Sequence, residues 1–120
     1  MNDKKLIRKN FRENSLKRDK YRCVCCGIPG FDRQGGELHK KFHNQSVNIV
    51  PLDVHHITPR NEMENGGYVS ANVISVCGDC HLKCEYYFQF GTPIDGFSIE
   101  ELYKLIGSSY EKAKEADINL

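Results

Sequence analysis

The chain has 120 residues, room for one domain with a modest core, and its 39% apolar and 28% charged residues are ordinary globular values that exclude disordered and fibrous classes. No apolar run approaches the roughly 20 residues that cross a bilayer, and residues 1–20 are charged where a secretory signal needs an apolar stretch, so the expected location is the cytoplasm. The formal net charge of +1 hides an asymmetry: residues 1–22 carry nine Lys/Arg against three Asp/Glu and residues 85–120 carry three against seven, which points one side of the molecule toward a polyanion.

From Asp3 to Asp19 no proline or glycine intervenes, and Lys5, Arg8, Lys9 and Arg12 recur at helical spacing beside a thin apolar stripe of Leu6, Ile7, Phe11 and Leu16. This predicts a basic helix lying on a core or along a phosphate backbone, with Arg8 and Arg12 as candidate nucleic-acid contacts. A solvated helix face is the plainer reading of the same charges. Gly27, Pro29 and Gly30 break regular structure after Cys23, and the stretch through Gly35 and Gly36 is polar loop. Residues 47–50 and 52–57 are β-branched-rich runs separated by Pro51, predicting two short strands or one bent ribbon. Residues 58–67 have loop chemistry throughout, and Arg60, after Pro59, is a candidate phosphate contact. Residues 73–76 predict a third strand, and residues 81–90 a helix of about two turns. Ser98-Ile-Glu-Glu is a capping box. After it Ile99, Leu102, Tyr103, Ile106, Tyr110 and Ala113 share one face, predicting a C-terminal packing helix over about residues 97–116 with Gly107 as its weak point.

In a reducing compartment the six cysteines point to metal rather than disulfides. Cys23 and Cys26 form one C-x-x-C and Cys77 and Cys80 another, and two such knuckles supply the four soft ligands of a tetrahedral zinc. Cys25 is an alternative partner in the first knuckle, although Gly27 follows Cys26 as a knuckle-closing glycine; Cys84 reads as a small core residue. Buried cysteines, or a redox pair of Cys25 and Cys26, are the competing readings. A saturated zinc site has no open position, so it serves folding and any chemistry must sit elsewhere.

His55 and His56 close the run Leu-Asp-Val-His-His-Ile, Asn72 follows His56 by sixteen residues, and His81 follows Asn72 by nine, directly behind the second knuckle. The stretches Tyr-Arg-Cys-Val-Cys-Cys-Gly (21–27), Val-His-His-Ile-Thr-Pro-Arg (54–60) and Asn-Val-Ile-Ser-Val-Cys-Gly-Asp-Cys-His (72–81) together resemble the HNH, or ββα-metal, nuclease family over about residues 6–85. The likeness is specific because cysteines and histidines, two independent sets, interleave in the family's order.

The resemblance implies an α+β fold in one domain over residues 1–120. Its parts are a basic N-terminal helix, a β-hairpin bearing His55 and His56, and a helix that begins at the second knuckle and bears His81; the tail after Tyr87 lies outside the motif and is either a packing helix or a partner site. The resemblance also implies metal-dependent hydrolysis of DNA phosphodiester bonds to 5′-phosphate and 3′-hydroxyl ends. In that scheme His56 is the general base, and His55 and His81 ligate one divalent cation, magnesium or manganese, with zinc or nickel as alternatives. Asn72 bonds across the loop and fixes the base. Glu85, one helical turn after His81, is a further candidate ligand, with a solvated carboxylate as its plainer reading. Adjacent strand residues point to opposite faces, so His55 and His56 reach one site only where the strand twists or ends, as Thr58-Pro59 allows. His39 and His43 fall outside the pattern and read as surface residues or a minor zinc or phosphate contact. The segment 28–53 exceeds the minimal motif and is either a plain loop or an added hairpin. A non-cutting, zinc-stapled DNA-binding module is the alternative, but such a module has no need of the full histidine and asparagine set. With no separate specificity domain, tight sequence recognition calls for a dimer or a partner.

Overall fold

A computed structural model describes residues 4–35 and 49–120; His39 and His43, and the start of the run at 47–50, lie outside the described residues. Helix α1 spans Lys4–Arg18 and buries Phe11, Ser15 and Leu16, while Leu6 stays 53% exposed. So thin a stripe needs polar anchors. Ser15 Oγ lies 3.0 Å from Ser75 Oγ, and Arg18 donates to the Ser70 and Val73 carbonyls at 2.7 Å each. Asp19, just past the helix, accepts the Ser75 amide at 3.1 Å.

Three strands, β1 (Gly30–Asp32), β2 (Val50–His56) and β3 (Val73–Cys77), form one sheet in the order β1-β2-β3. β3 is antiparallel to β2, with Leu52 opposite Cys77 and His56 opposite Val73; β1 is parallel to β2. At its described ends the segment 28–53 is not plain loop, because residues 30–32 pair in parallel with residues 50–52. Pro51 does not divide two strands either. Val50 and Leu52 make the bonds to the β1 side, Val50 donating to the Pro29 carbonyl and Leu52 accepting from the Arg33 amide. Pro51 points the other way, beyond the end of β3, where its missing N–H removes no ladder bond. Gly30 lets the strands close up: a Cβ there would stand 2.3 Å from the Val50 carbonyl oxygen.

Helix α2 (Gly78–Phe90) begins three residues ahead of expectation because the Cys77 side chain accepts the Cys80 amide as its cap, and it ends at Gly91 in the left-handed conformation. The expected single C-terminal helix is two, α3 (Ile99–Leu105) and α4 (Tyr110–Ile118). The capping box at Ser98 forms as read. At Gly107 the backbone takes φ +68°, Ser108 N–H returns to the Tyr103 carbonyl, and Ser109 caps α4. The break lets Leu102 and Tyr103 from α3 and Ala113 from α4 all enter one core with Leu52, Ile57, Ile74 and Cys84. Among the described residues the result is an α+β fold of four α-helices and a small sheet. Among the described residues no helix is long and apolar enough to cross a membrane.

Candidate active site

The two knuckles meet where β3 runs into α2. Gly27, at φ +83°, donates to the Cys23 carbonyl and closes the first turn, while the Val24 amide fastens that turn to the Ser75 carbonyl of β3. One sulfur from each of Cys23, Cys26, Cys77 and Cys80 lies within 4.8 Å of the others, with Cys26 and Cys77 at 3.8 Å. Zinc–thiolate bonds of about 2.3 Å in a tetrahedron give a sulfur–sulfur edge of about 3.8 Å, so these four thiols are spaced to hold zinc. The protons on them conflict. Hydrogen bonding from Cys25 pulls the Cys23 thiol down to about 3, whereas burial pushes Cys26 and Cys80 up. A zinc ion shared by the four sulfurs would favour the thiolate form of all of them. Cys25 stands outside the cluster, and Cys84, 1% exposed, is a core residue.

Alternation along β2 sorts the polar residues between the two flanking helices. Asp53 and His55 meet α2. The His55 Nδ1 lies 3.2 Å from Glu85 Oε1, His81 Nε2 lies 3.4 Å from the same oxygen, and the His55 and His81 rings are 5.2 Å apart. His55, His81 and Glu85 thus each offer a ligand atom within 4.8 Å of the others. Asp53 was not singled out in the sequence, yet its Oδ2 sits 3.2 Å from His81 Nδ1. A carboxylate behind a ligating imidazole fixes the tautomer and the ring plane. Burial alone would raise the Asp53 carboxyl, but the bond and charge of Arg33, with His81, hold it below the usual carboxylate range.

His56, one residue on, meets α1 instead. Its ring packs edge-on against Phe11 at 5.3 Å and Tyr68 at 4.9 Å. Burial, and then the charge of Arg60, push its pKa down to about 4, and burial, then His81 and His56, push His55 to about 3. Both rings are neutral at pH 7, and each has a buried Nε2 with no hydrogen-bond partner among the described residues. The two faces reunite at the end of the strand, where His55, His56, His81 and Glu85 line one cleft of about 1150 Å³.

Asn72 is fully buried in the loop that joins β2 to β3. Its Oδ1 accepts the Thr58 amide at 3.0 Å, and its Nδ2 donates to the Thr58 and Gly67 carbonyls at 3.1 and 3.3 Å. The Ile57 amide also donates to the Asn72 carbonyl at 2.8 Å. The chain directly after His56 is thereby pinned on both sides. Gly67 makes the fit possible: at φ +70°, a Cβ would stand 2.4 Å from Asn72 Nδ2. Gly67→Ala is expected to lose about 1–2 kcal/mol from the left-handed backbone alone, and more from displacing the amide. Thermal unfolding reads this; an unchanged midpoint would mean that the loop yields freely there.

Among the basic candidates, Arg8 lies 5.1 Å over the Tyr68 ring, and Arg60 lies 5.8 Å over it while donating to its hydroxyl at 2.8 Å. Both line the cleft, with Lys4, beside Glu62 and Glu64. Arg12 does not join them. Its guanidinium is paired with Asp32 at 2.7 Å, tying α1 to β1. Tyr68, which organises both cleft arginines and the His56 ring, carried no signal in the sequence beyond being an aromatic in a loop.

Residues 23–85 match the HNH endonuclease family model. No curated protein and no solved structure matches the chain.

Proposed function

Since the chain belongs to the HNH endonuclease family, we propose that it is a metal-dependent endonuclease hydrolysing DNA phosphodiester bonds, with His56 as general base and one divalent cation, magnesium or manganese, held by His55, His81 and Glu85. The observation that carries this reading is that a three-ligand cluster and His56, a neutral imidazole whose buried Nε2 has no hydrogen-bond partner among the described residues, line one cleft. A bound cation there supplies neutralisation of charge on the scissile phosphate and the leaving oxygen. His56, uncharged at neutral pH, accepts a proton from the attacking water, which an imidazolium could not do. Asn72 does not touch reacting atoms; it is a positioning residue that holds the backbone beyond His56. Asp53 orients His81 in the same sense. Arg8 and Arg60 bind flanking phosphates with guanidinium groups already arrayed on Tyr68. The four-cysteine zinc is structural, and six unpaired thiols suit a reducing compartment, in keeping with a cytoplasmic protein.

Supercoiled plasmid incubated with the pure protein should be nicked or linearised when magnesium or manganese is present and left intact without them. Intact plasmid across both metals, with zinc bound and the protein folded, would leave a zinc-stapled DNA-binding module that does not cut.

A further inference from the structure

The C-terminal helices lie outside the residues that match the family model, yet they place two buried polar side chains into the loop behind His56. From α3, the Tyr103 hydroxyl lies 2.7 Å from Asn72 Oδ1 and 2.6 Å from Thr58 Oγ1. Asn72 Oδ1 can only accept, so the tyrosine proton goes there, and Thr58 must then donate to the tyrosine oxygen. That bond completes Asn72: Oδ1 takes two donors and Nδ2 serves two acceptors, in a residue with no solvent exposure. From α4, Asp117 is 1% exposed and its carboxylate accepts the Asn65 and Gly67 amides at 2.8 Å each, while its carbonyl takes the Asn65 side chain at 2.8 Å. Gly67 in turn offers its carbonyl to Asn72. Two independent lines of hydrogen bonds therefore run from the C-terminal helices to one asparagine.

We propose that Tyr103 and Asp117 are positioning residues for the nuclease reaction, acting through Asn72 to hold the backbone that carries His56, so that the C-terminal helix pair is part of the catalytic machinery rather than packing alone. The inference rests on the reading of His56 as the base. A group joined only through hydrogen bonds to the chain just beyond His56 matters because small errors of orientation are costly in rate. A residue that only packs would lower stability and leave turnover of the folded fraction unchanged.

The test is a mutant cycle on plasmid or oligonucleotide cleavage, with zinc content and circular dichroism taken at the assay temperature. Tyr103→Phe removes one oxygen and should reduce kcat roughly 10-fold or more, with KM moving less than about twofold. Asn72→Ala should reduce kcat further, and in the Asn72→Ala/Tyr103→Phe double variant the tyrosine change should add much less than it costs alone, because only the Thr58 hydroxyl is left for it to act through. Asp117→Asn, isosteric but unable to take both amides, should behave alike and keeps the test open if Tyr103→Phe does not fold. Amide hydrogen exchange at Thr58 should accelerate in Tyr103→Phe. Losses that multiply in the double variant, or wild-type kcat in a folded Tyr103→Phe, overturn the inference while the nuclease reading stands. A wild-type protein that cuts nothing overturns both.

Discussion

Cys77→Ser is expected to give a chain that does not hold its fold at 25 °C and retains no stoichiometric zinc, whereas the wild type should purify with one zinc per chain. Structural zinc contributes an apparent binding energy of about 10–16 kcal/mol at neutral pH, and a domain of this size has a stability of about 5–15 kcal/mol in total. Loss of the metal is therefore comparable to the whole margin. Cys77 is the ligand with most else attached to it: it ends β3 opposite Leu52 and caps α2 by accepting the Cys80 amide. Serine can still cap a helix, so the loss reports on the metal more than on the cap. Cys84→Ser, in the same core, should leave zinc bound and cost about 1–3 kcal/mol for a hydroxyl buried among apolar neighbours. Elemental analysis with circular dichroism decides the matter. A folded Cys77→Ser protein, or a folded wild type free of zinc, ends the structural-zinc assignment.

The features legible in the sequence were those encoded within a few residues of themselves. Helix α1 and the capping box at Ser98 are local patterns, and they formed within a residue or so of where the spacing put them. The two C-x-x-C knuckles are likewise local, each able to wrap an ion before the other arrives. Strand β1 was not legible: its three residues, Gly-Phe-Asp, have little strand character and are held by Val50, Leu52 and a glycine's close approach. The break between α3 and α4 was visible only as a glycine, because an apolar face at helical spacing continues through it. Gly107 and the Ser109 cap decide against that periodicity only when Tyr103 and Asp117 have buried partners to gain.

In the site the same limit applies. His55, His56, Asn72 and His81 stand out as a pattern, and Glu85 follows from one turn of helix. Asp53 had a usable signal, since it precedes His55 by two on a strand and must share its face. Tyr68, Tyr103 and Asp117 had none. Their roles depend on partners many residues away in the chain, as with Asp117 and Gly67 or Tyr103 and Thr58. No spacing rule links such residues, and only the packed chain reveals that one loop is held from three helices.

Replacing His56 by Ala should lower plasmid cleavage by about 10²–10⁴-fold, with zinc content unchanged and DNA affinity within about twofold, since a base acts in the transition state and adds little to ground-state binding. The ring also packs on Phe11 and Tyr68, so alanine costs stability as well. His56→Gln fills most of that space and separates lost packing from lost proton transfer. His81→Ala should fail in a different way. It removes one of three groups gathered for the divalent ion, so excess manganese should restore part of its activity and none of that lost with His56. Mild chelation should likewise stop cutting before zinc leaves, because two imidazoles and a carboxylate hold an ion more loosely than four thiolates. If His56→Ala and His56→Gln both cut at the wild-type rate, with contaminating nuclease excluded by purification of an inactive His81→Ala control in parallel, His56 is not the base. If all three variants and the wild type bind DNA and none cuts, the chain is a zinc-stapled binding module that has kept the family's fold without its reaction.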